Sequence, residues 1–166
     1  MPLMDTIRAR RSIRSYKPDP VPKEKLDYIL EAARLAPSWK NQQCWRFIVV
    51  TDEAKRRAIT KRDWTADAPV IIVGCAHPEL SGGNAGQPYY MLDMGIAMEH
   101  MVLTAAEQGL GTCWIGGQFD EATVKAELGV PDDVRVVALL PIGYPAEAPG
   151  PKDRKPMDAV VSHEKW

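Results

Sequence analysis

Between Arg8 and Arg14 the chain reads Arg-Ala-Arg-Arg-Ser-Ile-Arg. Four guanidinium groups and a hydroxyl share this short segment of a protein whose formal net charge is -1, so the cluster is local and not part of a basic surface. Arginine's planar fork of donors fits phosphate oxygens two at a time, and each charge-assisted bond is worth about 1.5–3 kcal/mol. A second basic cluster, Lys152, Arg154 and Lys155, stands before Pro156 near the other end of the chain. If the fold joins the two clusters they make one anion pocket. Taken alone, the arginine stretch reads equally as a solvated basic turn.

Two other stretches carry the mixture that suits a flat heterocycle, aromatic area for its faces and polar groups for its edges. The first is Pro37-Ser38-Trp39-Lys40-Asn41-Gln42-Gln43-Cys44-Trp45, which by itself reads first as a loop with two partly buried tryptophans. The second is Thr112-Cys113-Trp114-Ile115-Gly116-Gly117, a strand running into a turn whose glycines let backbone N–H groups approach a ligand; a plain tight turn is the alternative. Cys44, Cys75 and Cys113 cannot all pair, lack CxxC spacing and sit in apolar surroundings, so they read as buried thiols of a reducing compartment. His77, His100 and His163 are scattered, and no metal site is expected.

These residues must be positioned by a modest set of elements. Leu3 to Ala9 suits a short helix with Ile7 on its apolar side, leading into the arginines. Pro18, Pro20 and Pro22 impose an extended path, after which Leu26, Ile29, Leu30 and Ala33 mark one face of a helix that Pro37 ends. Arg46 to Thr51, Pro69 to Ala76 and Val134 to Ile142 read as core strands. A polar helix capped by Thr51 or Asp52 runs to about Thr60, and Ser81 to Gly86 is turn chemistry expected to form a mobile loop that either covers a site or merely connects. Tyr89 to Gln108 is a long helix, apolar nearly all round, which suits a central core helix or a dimer interface; Gly109 stops it. Asp120 caps a helix to Leu128 that ends at Gly129, and Met157 to Val161 is expected to add a short edge strand.

The totals bound the answer. A chain of 166 residues without repeats or a second composition zone is expected to form one domain, 1–166, of α+β class. The near-neutral charge argues against nucleic acid, and no apolar span approaches the roughly 20 residues that cross a bilayer, so a cytoplasmic protein is expected.

Taken together and in order, the stretches Arg10-Arg11-Ser12-Ile13-Arg14, Ala36-Pro37-Ser38 with Asn41-Gln42, Trp45-Arg46-Phe47-Ile48-Val49, Ala68-Pro69-Val70, Gly109 to Gly116 and Lys152-Asp153-Arg154-Lys155-Pro156 resemble the short type of FMN-dependent nitroreductase over nearly the whole chain. The resemblance implies a nitroreductase-like fold, a central, mostly antiparallel sheet flanked by helices, in an interwoven homodimer that exchanges its C-terminal arms. It implies two FMN sites at the subunit interface. Arg10, Arg11, Ser12 and Arg14, joined by Lys152 and Arg154, would take the phosphate and nearby ribityl oxygens. Pro37, Ser38, Trp39 and Asn41 would come from the opposite subunit, and Trp114, Ile115, Gly116 and Gly117 would lie along the isoalloxazine. Trp39 stands where many relatives carry a small residue, and Cys44 replaces a common proline. The contact to the flavin's pyrimidine edge is unassigned, with Lys61 and Arg62 as candidates.

The implied chemistry is ping-pong: NADH or NADPH delivers hydride to flavin N5, leaves, and is replaced by a small electron acceptor such as a nitroarene or quinone. No side chain is assigned as catalytic, and Cys44 and Cys113 are read as packing groups. No GxGxxG follows an expected strand, so the nicotinamide is expected to bind transiently. Two alternatives stay open: a flavin-dependent reductase or dehydrogenase for one specific metabolite, and an FMN-binding module without turnover.

Overall fold

A computed structural model describes residues 2–166. The helices are Leu3–Ala9 (α1), Lys23–Arg34 (α2), Glu53–Ala58 (α3), Asp63–Ala66 (α4), Tyr89–Glu107 (α5) and Glu121–Leu128 (α6). The strands are Trp45–Val50 (β1), Val70–Ala76 (β2), Gly83–Asn84 (β3), Gln87–Pro88 (β4), Gly111–Thr112 (β5) and Arg135–Gly143 (β6). Apart from the edge strand expected over Met157 to Val161, the expected elements are present with bounds shifted by a few residues. The one-turn helix α4 lies outside the expected set, because four residues are too few for a periodic signal.

The apolar runs pair into one antiparallel sheet of order β1-β2-β6-β5. Alternation along β2 explains the layering. Val70, Ile72 and Ala76 face Ile29, Ala33, Met94, Ala97, Met98 and Met101, the inward stripes of α2 and α5. Ile71, Val73 and Cys75 face the other way, into a second core with Ile59, Val124 and Leu139. Helices thus cover both faces of the sheet, as the α+β reading expects. β1 stands at one edge of this sheet.

Local sequence chemistry sets the boundaries. Pro22 precedes α2, where its missing N–H is of no consequence. Asp52 accepts from Lys55 N–H, and Asp120 from Thr123 N–H, so each caps the helix that follows it. Gly109, at φ 75°, turns the chain in the left-handed region, and Leu110 N–H returns to Ala105 O at 2.9 Å, the Schellman closure of a helix end.

The turn chemistry expected over Ser81 to Gly86 takes the form of a small hairpin of β3 and β4 whose corner, Ala85 and Gly86, has φ of 51° and 79°, the left-handed pair of a type I′ turn. One expectation is corrected. Met157 to Val161 is not a strand within its own chain but a 3-10 turn over Met157–Ala159. Its N–H groups bond locally, Val160 and Val161 to Met157 O. Ile7 is also more exposed than a core-facing residue, at 42%, with Leu3 and Met4 exposed beside it; the buried side chain of α1 is Thr6.

Candidate functional site

The two ends of the chain meet because residues 12–17 are stitched on both sides. Ser12 bridges Thr112, and Ile13 N–H donates to Thr112 O at 2.9 Å. Tyr16 bridges Pro145, Lys17 N–H donates to Tyr144 O at 2.8 Å, and Ala146 N–H donates to Ser15 O at 2.9 Å. The Tyr16 hydroxyl donates to Ile13 O at 2.7 Å, and burial pushes its pKa far above the usual phenol value. The arginine stretch therefore runs as a ribbon between β5 and the segment after β6.

Beside that ribbon opens a cleft of about 590 Å³ lined by Arg8, Arg10, Arg11, Ser12, Arg14, Lys152 and Arg154, with Glu99 from α5 as its one acidic side chain. Six of the expected site residues, Arg10, Arg11, Ser12, Arg14, Lys152 and Arg154, thus share one concave surface. Arg11 is held in place by backbone carbonyls, donating to Arg8 O at 2.6 Å, Arg10 O at 2.8 Å and Gly150 O at 3.2 Å. Arg14 N–H donates to the Glu147 carboxylate, and its guanidinium stands 5.9 Å from the Trp64 ring centroid. Arg8 reaches Asp5 at 3.6 Å, an exposed pair of little strength. A cleft with this excess of cationic donors suits an oxygen-rich anion of phosphate type.

Glu99 was not among the expected residues. Burial raises its carboxyl pKa above the ordinary value, opposed by Arg10 and His100. The sequence signal for it is an acidic residue inside an otherwise apolar helix.

The second expected segment continues from the ribbon through Thr112. Trp114 is 40% exposed, while Ile115 is buried and pairs with Leu139, N–H to O at 3.0 Å in both directions. Ile115 N–H is thereby committed, and the exposed Gly116 and Gly117 are left to present theirs. Lys61 N–H donates to Gln118 O at 3.1 Å and Arg62 Nε to Gln118 Oε1 at 3.2 Å, which ties the two pyrimidine-edge candidates to this glycine turn.

Pro37, Ser38, Trp39 and Asn41 line no part of the cationic cleft. They form a separate turn against the N-terminal half of α5. Ser38 Oγ accepts Gln43 N–H at 2.9 Å, and Trp39 N–H donates to Asp93 Oδ1 at 3.0 Å. Lys40, Asn41 and Gln43 have φ of 49°, 56° and 50°, three left-handed non-glycine residues within one turn, which costs free energy.

The three cysteines are buried and free. Burial pushes Cys44 and Cys75 up to about 11 and raises Cys113 as well, so all three are neutral thiols near pH 7. Among the described residues, no group of His, Cys, Asp and Glu could hold a metal ion, and no helix is long and apolar enough to cross a membrane.

Comparison with known proteins shows the family of the chain. The Nitroreductase family model matches residues 7–66 and 60–144. The chain is 33% identical to an NADH dehydrogenase of Thermus thermophilus, covering 97% of each. It is 31% identical to the FMN reductase [NAD(P)H] of Bacillus subtilis, covering 99% of this chain and 74% of that one. The solved structure of an FMN-dependent nitroreductase from Clostridium difficile superposes with a TM-score of 0.87 at 32% identity, over 98% of this chain and 99% of that one.

Proposed function

This chain belongs to the nitroreductase family, and from that premise we propose how it works as an FMN-dependent NAD(P)H oxidoreductase. The acceptors are nitroaromatics, quinones or similar small molecules. The observation that carries this reading is the cationic cleft where the two ends of the chain meet.

The residues present fit FMN. Arg10, Arg11, Ser12, Arg14, Lys152 and Arg154 supply the donors for its phosphate and neighbouring ribityl oxygens. Trp114 offers exposed aromatic area, and Gly116 and Gly117 offer backbone N–H groups where added electron density is stabilised by aimed dipoles. FMN, when bound, supplies two-electron transfer between a nicotinamide donor and the acceptor. The chain's own residues bind, orient and stabilise; no side chain is assigned a proton-transfer step.

The working unit is a homodimer in which the whole chain acts as one FMN-binding domain. Pro37, Ser38, Trp39 and Asn41 reach the site of the other subunit. Exposed apolar side chains support this, among them Leu3 and Met4 on α1 and Met91, Leu92 and Ile96 on α5. The exposed Met157, Val160 and Val161 and the open edge of β1 support an exchanged C-terminal arm. Three free buried thiols support a cytoplasmic location.

The deciding experiment is the absorbance spectrum of the purified protein, with heat release and identification of the chromophore. One FMN per chain, bleached by NADH or NADPH and reoxidised by a quinone or nitroarene, is expected. A colourless protein that takes up no added FMN overturns the site assignment; bound FMN that neither nicotinamide reduces overturns the activity.

A further inference from the structure

The carboxylate of Asp93, 4% exposed on α5, meets three uncharged donors. Oδ1 accepts Trp39 N–H at 3.0 Å; Oδ2 accepts the Ser81 hydroxyl at 3.4 Å and the Cys44 thiol at 3.6 Å. Removing a carboxylate from water is costly unless its partners compensate, so its retention in a helix otherwise buried by apolar residues calls for a role. The three donors come from two separate segments, the 38–44 turn and the residues that lead into the β3–β4 hairpin. One side chain fastens both to α5.

What it fastens is strained. Left-handed backbone at Lys40, Asn41 and Gln43 persists only where the surroundings over-determine it. A second contact joins the same two segments. A Cβ on Gly82 would stand 2.7 Å from Trp39 Cε2 and Cζ2, so the indole lies directly against the Gly82 backbone. Tyr89 N–H donates to Gly82 O at 2.9 Å, and the Tyr89 and Trp39 ring centroids are 6.2 Å apart. Lys40 Nζ lies 4.6 Å from the Trp39 centroid. The indole is thus fixed by the hairpin, by Tyr89 and by its own turn.

We propose that Asp93 is a positioning residue that latches the Trp39 turn to the hairpin over 81–88, and that the latched indole selects electron acceptors by size. The selectivity rests on the reading above, in which this turn reaches the FMN site of the other subunit. The latch itself rests only on the contacts just described. Trp39 held rigidly excludes acceptors broader than a single ring; released, it swings aside and admits them.

The test uses the FMN-loaded protein and the variants Asp93→Ala, Asp93→Asn, Ser81→Ala and Gly82→Ala. Hydrogen exchange reads the latch. In Asp93→Ala the Trp39, Gln43 and Tyr89 amides should exchange faster while amides of Met98 to Val102 in α5 stay protected. Asp93→Asn keeps an oxygen for Trp39 N–H and should restore most of that protection. Acceptor kinetics read the selectivity, with 1,4-benzoquinone as the small acceptor and menadione as the larger. Asp93→Ala and Gly82→Ala should each shift the ratio of kcat/KM toward menadione by on the order of tenfold, through acceptor KM, with rates expressed per bound FMN. Ser81→Ala should shift it in the same direction by less.

Uniformly faster exchange throughout α5 would reduce Asp93 to a general stabiliser and overturn the latch. An unchanged acceptor ratio in Gly82→Ala, a variant that displaces the indole without touching Asp93, would overturn the selectivity. Wild-type protein that binds no FMN would defeat the function proposed above, while the exchange experiment would still decide the latch.

Discussion

At the residue scale the anion cleft depends on few groups, and Arg10 and Arg154 bring its two walls from opposite ends of the chain. Each charge-assisted bond to a phosphate oxygen is worth about 1.5–3 kcal/mol, so the double variant Arg10→Ala with Arg154→Ala should weaken FMN binding by about 100-fold or more. Fluorescence titration of apoprotein with FMN measures this, and unaltered affinity would remove the phosphate from this cleft. The types of these residues were legible in the sequence, but the arginine stretch alone read equally as a solvated basic turn, and only the second basic cluster near the other end of the chain favoured an anion pocket. Glu99 was not legible as a member of the same cleft. It lies more than eighty residues away in sequence on a helix read for its apolar faces, and only packing puts its carboxyl among the guanidiniums.

At the scale of elements the ribbon from Ser12 to Lys17 decides whether the cleft exists. Its anchor is the Tyr16 hydroxyl on Ile13 O at 2.7 Å. Replacing Tyr16 with Phe should cost about 1 kcal/mol at neutral pH, the usual net value of such a bond. Burial raises the Tyr16 pKa, so the neutral phenol is favoured in the folded protein. Its stabilising contribution is complete below the unfolded value of about 10 and is lost as pH rises above it. The gap in stability between wild type and Tyr16→Phe should therefore narrow from about pH 10 upward, measured by urea denaturation across that range; a constant gap would contradict a buried, protonated Tyr16. The helices that frame the ribbon were readable because their signals are local, the apolar stripe of α2, the caps at Asp52 and Asp120, and the stop at Gly109. The hairpin at 83–88 escaped because its strands are two residues each and Ala85 is an unusual choice for a left-handed corner.

At the scale of the whole molecule the exposed apolar faces of α1 and α5, the open edge of β1 and the exposed tail are more than a lone chain should leave to water. Light scattering after size exclusion should give twice the 18.4 kDa chain mass. Deleting residues 157–166 should shift the equilibrium toward monomer at the same concentration. A monomer mass for the full chain at micromolar concentration would refute the dimer and, with it, the supply of Trp39 to a neighbouring site.

The sequence by itself determined the class of fold, the main helices and core strands, and an arginine-rich segment suited to an anion. These follow from local periodicity, caps and residue types that act over a few positions, whereas the FMN roles of individual residues were implied only by the family resemblance. Tertiary structure alone decided which of these residues meet. It joined Arg10 to Arg154, gave Ile115 N–H to Leu139, and brought Trp39 and Ser81, more than forty residues apart, to the one carboxylate of Asp93. The reason is physical: a buried polar group takes whichever partner the packed sheet and helices bring within hydrogen-bond range, and that partner leaves no mark in the residues around it.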